Sequence, residues 1–307
     1  QEMAYALAIA RAYIEHVLAR GLGIDEFAPG LSFNFDVFGN LWEEVAKLRA
    51  GRRLWAKLLR DRYAARDPRS MQMRMIAGGG GAGLTVEQPE NNIVRGAYYA
   101  LASALGGAQT MALCCWDEAY TIPSEQASRL SLRTMQVLME EVGLCDTADP
   151  LGGSHFVETT TDAMERRIAE VMDRVEAEGG MVRAIEDGRV QAEVSRGAYE
   201  RHRRIASGEL RKVGVNCHVE KEPPRTVELH PYREEEAARA VERVRRVRRE
   251  RDGRTASATL AAVRAAAAGG RNVMPAILEA VEARATVGEI CTEMKDALGA
   301  YREPIRF

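Results

Sequence analysis

Along the first half of the chain the apolar positions recur in the order helix, short strand, helix. An amphipathic helical pattern runs from the first residue to about Arg20 and stops at Gly21 and Gly23. Pro29–Phe35 (PGLSFNF) then predicts a short strand, and Leu41–Arg60 a long helix with apolar residues at helical spacing. In Ser70–Ile76 (SMQMRMI), Met71, Met73 and Met75 alternate with Gln72 and Arg74, the period-two signature of a strand with unlike faces. A glycine run, Gly78 to Gly81, follows, and Thr85 with Gln88 predicts a capping box for a helix from about Val86 to Leu105. The third pass is a strand over Ala108–Cys114 and a helix from Ser124 to about Glu141. Strands separated by such helices predict parallel βαβ units, in which functional groups sit at the C-terminal strand ends. One rim would then carry Asn34–Asn40, Gly78–Gly83 and Cys114–Thr121.

The second half is different. After a turn over Asp149–Ser154 (DPLGGS), Asp162 with Glu165 predicts a capping box for a helix that stops at Gly179 and Gly180. Further helices are predicted over Met181–Ser207, Arg233–Arg251, Ser257–Ala268 and, with a break, Asn272–Tyr301. The expected class is therefore α/β, with a small parallel part over residues 1–150 followed by an all-helical segment over residues 151–307. Three parallel strands neither close a barrel nor cover their own faces and edges. The missing strands are expected upstream of Gln1 or on another chain, and a start inside a helical pattern without methionine points to a fragment.

Composition narrows the function classes. The 307 residues carry a net charge of -2 with mixed signs, which argues against a dedicated nucleic-acid binder. No apolar run approaches a membrane span and the start lacks a signal-peptide pattern, so no membrane role and a cytoplasmic location are expected. Cys114, Cys115, Cys145, Cys217 and Cys291 are an odd, scattered set, unlike a disulfide framework or zinc knuckles.

The candidate chemistry is concentrated on the expected rim. Gly78–Gly81 lacks the lysine of a P-loop and the spaced glycines of a dinucleotide fold, which leaves a close backbone approach to some ligand. Cys114 and Cys115 alternate, so at most one faces the site, and buried inert thiols are expected with no histidine nearby to activate them. Glu118 is the ligand-contacting carboxylate, while Asp117 caps or braces the loop. Cys217 and His218 are adjacent without a second metal-binding pair and are read as structural. Along the basic run Arg243–Arg254 and just before it, the valines Val241, Val244 and Val247 form one stripe, which predicts a surface helix with a solvated basic face rather than an acidic-polymer site.

A set of segments in chain order resembles the large, catalytic chain of the methylmalonyl-CoA mutase family. They are Phe27–Pro29, Leu31–Phe33, Glu44–Lys47, Thr85–Arg95 (TVEQPENNIVR), Gly106–Gly107, Asp117–Ala119, Ile122–Pro123, Asp149–Ser154, Phe156–Glu158, Glu178–Met181, Val213–Asn216 and Ala285–Glu289. The resemblance implies an adenosylcobalamin-dependent acyl-CoA mutase working by a radical rearrangement on a (β/α)8 TIM barrel. This chain looks like the last three strands of that barrel plus the helical segment after it.

Residue by residue, the resemblance implies cofactor contacts at Glu118, Ala119 and Thr121, backbone approach to the corrin at Gly81, and a CoA contact at Ser32. It also shows departures: Gly30 in place of an arginine, Gly78 of a glutamine, Ala82 of an aromatic residue, and Met111–Cys115 of a histidine-containing stretch. Cys115 and Trp116 likewise replace smaller or different residues, and together these changes point to another acyl group or a reshaped cofactor pocket. The resemblance further implies that the active-site histidine and most CoA contacts lie in an N-terminal barrel half. The cobalamin domain would be a separate small cobalamin-binding subunit of a hetero-oligomer, with Phe307 a natural end. The alternative expectation is a non-catalytic assembly subunit, a degenerate half-barrel docking on a mutase partner.

Overall fold

The computed structural model describes residues 1–220 and 229–304; the expected end at Phe307 lies outside them. Period-two alternation is satisfied by burying one side of a small sheet. Strands β1 (Ser32–Asp36), β2 (Arg74–Gly78) and β3 (Thr110–Met111) pair in parallel in that order, with Ser32 opposite Arg74 and Ile76 opposite Thr110. Phe35, Met75 and Ala77 turn into a core with the helices and are at most 3% exposed, while Ser32, Asn34, Asp36, Arg74 and Ile76 stand exposed on the other face. That second face is bare within the described residues, although parallel sheets bury both faces.

Strands β1 and β2 begin and end later than the pattern predicted. Ala28–Gly30 is a tight helical turn set by Pro29, so β1 starts at Ser32 rather than Pro29. Ser70–Gln72 is held in a turn, where Trp55 donates its indole N–H to the Ser70 carbonyl (3.1 Å) and the Ser70 hydroxyl donates to Asp25 (2.7 Å). The third strand shrinks to Thr110–Met111 because side chains take its ladder positions. Met75 N–H donates to the Gln109 side chain (2.9 Å), and the Leu113 carbonyl accepts from Ser131 (2.9 Å).

The helices that flank the sheet are α1 (Glu2–Leu18), the single turn α2 (Ile24–Phe27), α3 (Leu41–Lys57), α4 (Asn91–Leu105) and α5 (Glu125–Glu140). Asn40 and Ser124 cap α3 and α5 with side-chain oxygens. Helix α4 starts at Asn91 rather than Val86, and Thr85 is not its cap. The Thr85 hydroxyl instead donates to the Glu87 carbonyl (2.8 Å) and accepts from Arg95 (2.8 Å), within a turn where Gln88 has φ +45°.

Helix α6 (His155–Ala177), in contrast, starts before its predicted cap, with Ser154 at its N-terminus. Asp162 and Glu165 lie inside the helix and face α3. Arg53 pairs with Asp162 (2.6 Å) and Glu165 (2.7 Å), Arg49 with Glu158 (2.7 Å) and Asp149, and Lys57 with Glu165. Such pairs are worth about 0.2–1 kcal/mol each. The buried side chains Val157 and Ile168 of α6, part of the main core, contribute about 1.5–3 kcal/mol each, so apolar burial outweighs the charged pairs in holding α6. The predicted helix over Met181–Ser207 is two, α7 (Gly180–Glu186) and α8 (Arg189–Ala206), broken at Gly188 with φ +72°.

The chain divides into two compact units, Gln1–His230 and Pro231–Glu303, so α6 to α8 belong with the sheet rather than with the later helices. The second unit contains α9 (Glu234–Glu250), α10 (Gly253–Ala268), α11 (Met274–Glu282) and α12 (Val287–Leu298) around Val263, Ala280 and Ile290. Thr286 and Glu289 form a capping box on α12, and Glu289 also receives both arms of Arg251 (2.6 and 2.7 Å).

These hydrogen bonds, the Arg251 pair first among them, hold the Glu289 carboxyl down from its ordinary 4.5 to about 2. A depressed folded-state value stabilises the unit fully above pH 4.5, and that stability is lost as pH falls toward 2. The Glu289→Gln variant is therefore expected to lose stability at neutral pH and to show a shallower decline between those values, measured by thermal melts across the acid range.

Candidate functional site

The C-terminal ends of the strands place three loops side by side: Val37–Asn40, Gly79–Gly83 and Ala112–Thr121. Most of the glycine run is explained by crowding inside the protein. A β-carbon on Gly78 would overlap the Ala112 carbonyl, and one on Gly79 would overlap the Tyr99 ring and lie 2.9 Å from Cys114 Sγ. At Gly80 it would meet the Asp36 carboxylate. Gly81 is different: it is exposed, and the nearest atom to such a carbon is Glu118 Oε2 at 3.9 Å. The fold thus brings Gly81 and Glu118 together across an open space.

Glu118 is fixed by its other oxygen, Oε1, which accepts from Cys115 N–H (2.6 Å). Asp117 is buried and accepts from Ser124 N–H (2.9 Å), while its carbonyl accepts from Tyr120 and Thr121 N–H. Asn92 adds a second brace by donating to the carbonyls of Trp116 (2.9 Å) and Thr85 (2.8 Å). Ala119 packs on the core beneath the loop, and Thr121 accepts from His230 N–H (3.0 Å).

The adjacent thiols point apart, Cys114 toward Tyr99 and Gly79 and Cys115 toward Ser128 (3.9 Å). Burial, reinforced by the Glu118 charge, pushes Cys114 up to about 12, and burial also raises Cys115. Both are protonated at neutral pH and neither is a thiolate nucleophile.

Ser32 is not part of this cluster. It opens β1 at the opposite end of the strands, where it lines a cavity of about 680 Å³ with Arg52, Arg74, Gln109 and Thr110. Burial first, then Arg49, lowers the Arg52 pKa. At about 3.3 Å per residue the bare face separates Ser32 from the rim by roughly 13 Å.

Within the expected rim segment Asn34–Asn40, the residue that was not singled out is Asp36, on the same face as Ser32 and Asn34. Burial first, then the Glu2 charge, raises its pKa, and Lys47 opposes the shift. Its signal was available: an acidic residue at the end of an apolar strand, with the parity of Ser32.

Elsewhere, Cys217 and His218 lie on a turn whose His218 carbonyl accepts from Gln88 (2.9 Å). Among the described residues no cluster of three or more His, Cys, Asp and Glu side chains converges as a metal site would, and no helix is long and apolar enough to cross a membrane. The basic run lies on α9 and the turn after it, with Arg249 paired to Glu242 (2.6 Å) and Arg248 to Glu289 (3.3 Å).

A small parallel sheet with braced loops at its C-terminal rim, an open glycine and a fixed carboxylate makes this a helix-rich α/β chain whose candidate site is the rim. The family model described as Methylmalonyl-CoA mutase matches residues 1–300, and the chain belongs to that family. It is 42% identical over 304 residues to a 2-hydroxyisobutanoyl-CoA mutase large subunit of Aquincola tertiaricarbonis, covering 99% of this chain and 54% of the relative. A methylmalonyl-CoA mutase of Cereibacter sphaeroides (strain ATCC 17023) is 35% identical over 308 residues, covering 100% of this chain and 43% of the relative. The mitochondrial methylmalonyl-CoA mutase of Homo sapiens is 36% identical over 303 residues, covering 98% and 40%. The chain thus spans about half the length of these relatives, or less.

The different surroundings of two neighbouring glycines are testable. Gly79→Ala should destabilise by about 1–3 kcal/mol through overpacking, whereas Gly81→Ala should leave the melting temperature unchanged; thermal denaturation of both variants decides.

Proposed function

We propose that this chain is the C-terminal part of the large subunit of an adenosylcobalamin-dependent acyl-CoA mutase, an isomerase that rearranges the carbon skeleton of an acyl-CoA. The observation that carries the reading is the Gly81–Glu118 pair facing open space at one end of a bare sheet face, with Ser32 and its arginines at the other. The bare face and the outer edges of β1 and β3 are what an N-terminal barrel half would cover, completing a (β/α)8 barrel. A small cobalamin-binding subunit would close the rim, in keeping with the large-subunit name of the Aquincola relative.

The residues fit the cofactor. Gly81 and Ala82 are exposed and offer no bulk against a flat macrocycle, and Glu118 Oε2 is turned toward the same space to accept from a ribose hydroxyl. Ala119 and Thr121 would complete that loop. When bound, adenosylcobalamin supplies the radical by homolysis of its cobalt–carbon bond. The protein's part is to bind, orient and exclude water, which suits a rim whose two thiols are buried and protonated. At the far end Ser32, Arg52 and Arg74 would hold the phosphates of CoA. A cytosolic, hetero-oligomeric enzyme is part of the same reading.

Asp36 bears on the acyl group. A carboxylate projecting from the end of β1 repels an acyl chain that carries its own carboxylate and favours one that carries a hydroxyl. In the reconstituted assembly Asp36→Asn is expected to lower the preference for a hydroxyacyl-CoA over a carboxyacyl-CoA, read as the ratio of kcat/KM values.

The direct test co-expresses the chain with the missing barrel half and a cobalamin-binding chain and measures isomerase activity on an acyl-CoA panel. Glu118→Gln should reduce cofactor-dependent turnover at least about tenfold through loss of a charged hydrogen bond. Turnover by the isolated chain, or an active assembly indifferent to Glu118, would sink the proposal; no activity in a fully formed assembly would favour a non-catalytic assembly subunit.

A further inference from the structure

We propose that a second cavity, of about 820 Å³, between the rim turn Phe38–Asn40, helix α4, helix α8 and the segment Leu210–Val213, binds a small molecule carrying a multiply charged phosphate group. The inference does not depend on the mutase reading, and neither Gly81, Glu118, Ala119 nor Thr121 lines this cavity.

Charge within the lining is unevenly matched. Arg204 is neutralised by Glu209 (2.8 Å), and the lining acids Glu44 and Glu200 are taken by Lys47 (2.6 Å) and Arg203 (2.8 Å). What remains is positive. Arg95 donates only to neutral oxygens, the side chains of Thr85 and Asn92 and the Val213 carbonyl, each at 2.8 Å. The Arg201 guanidinium lies over the Phe38 ring, 5.0 Å from its centroid. Lys212 is held at its backbone N–H by Asn216 (2.7 Å), and burial together with Arg95 and Arg201 lowers its pKa. Glu43, exposed at the mouth, is the one lining acid left to oppose them among the described residues.

Geometry points to phosphate rather than to a single carboxylate. Four lining cations, Arg95, Arg201, Arg211 and Lys212, come to one concave space from two helices and a loop, and one carboxylate would neutralise one of them. A phosphate or diphosphate brings the charge and the several acceptor oxygens that such a set can use. Arg95 is clamped by three hydrogen bonds and Arg201 is stacked, so little freedom remains to be lost on binding. The volume lies within the range of about 300–1,000 Å³ typical of small-molecule sites.

Isothermal titration calorimetry of the whole chain with pyrophosphate, ADP and succinate tests the assignment. Pyrophosphate and ADP should bind saturably, with succinate at least about tenfold weaker, and Lys212→Met and Arg201→Ala should each weaken pyrophosphate about tenfold. Arg239→Ala, on exposed α9, should change nothing. Equal affinity for the two phosphate ligands would assign the site to the phosphate alone, and tighter ADP binding to a nucleotide. Failure of both to bind the unaltered chain, a succinate affinity equal to that of pyrophosphate, or binding that survives both substitutions in folded variants would overturn the proposal.

Discussion

Helix α3 is the constraint on which the first unit depends, because it must satisfy two neighbours at once. One side carries Val45, Leu48 and Trp55 into the core beneath β1 and β2, with Trp55 edge-on to Phe33 at 5.2 Å and bonded to the Ser70 carbonyl. The other side presents Arg49, Arg53 and Lys57 at successive helical turns to the acids of α6. Because the two surfaces share one rigid helix, the position of the sheet and the position of α6 are not independent. The rim loops inherit that rigidity: Lys47, two residues before Arg49 on the same helix, bonds the Asp36 carbonyl at the end of β1 (2.7 Å).

The rim itself is governed by crowding on one side and openness on the other. Gly78 and Gly79 are small because backbone and aromatic atoms already occupy the space a side chain would need. Gly81 is small where nothing among the described residues requires it, and that contrast sets it apart from the packing glycines within four consecutive residues. Glu118 is placed by the backbone N–H of Cys115 in the third loop, and that loop is in turn tied down by Asp117 and Asn92. A carboxylate with one oxygen fixed and the other free is oriented before anything binds.

Much of this was legible from residues alone, and the failures have local causes. Parallel βαβ order follows from three strand patterns separated by helices, and the mixed faces of β2 follow from Met73 and Met75 against Arg74. Both predicted capping boxes failed, each for its own local reason. Thr85–Gln88 and Asp162–Glu165 have the right spacing, but Pro89 and the Gln88 backbone divert the first into a turn, and cationic partners on α3 claim the second. The division at residue 150 followed a change in periodicity, whereas compactness follows contact, and the charges that bind α6 to α3 join residues more than a hundred positions apart. Gly81 and Glu118 were readable as separate candidates; their juxtaposition needed the fold. Ser32 was readable too, but not that it stands at the far end of the same face.

The side chain of Gln109 has a consequence for solubility. By accepting from Met75 N–H it occupies a position on the edge of β2 that a longer third strand would otherwise fill. Unsatisfied edge groups are templates for unintended strand addition between molecules. A chain carrying a bare sheet face has reason to keep such templates few, and an amide side chain standing in for a peptide bond closes one without extending the sheet. The Gln109 amide thus lets β3 stay short without leaving the Met75 N–H unpaired.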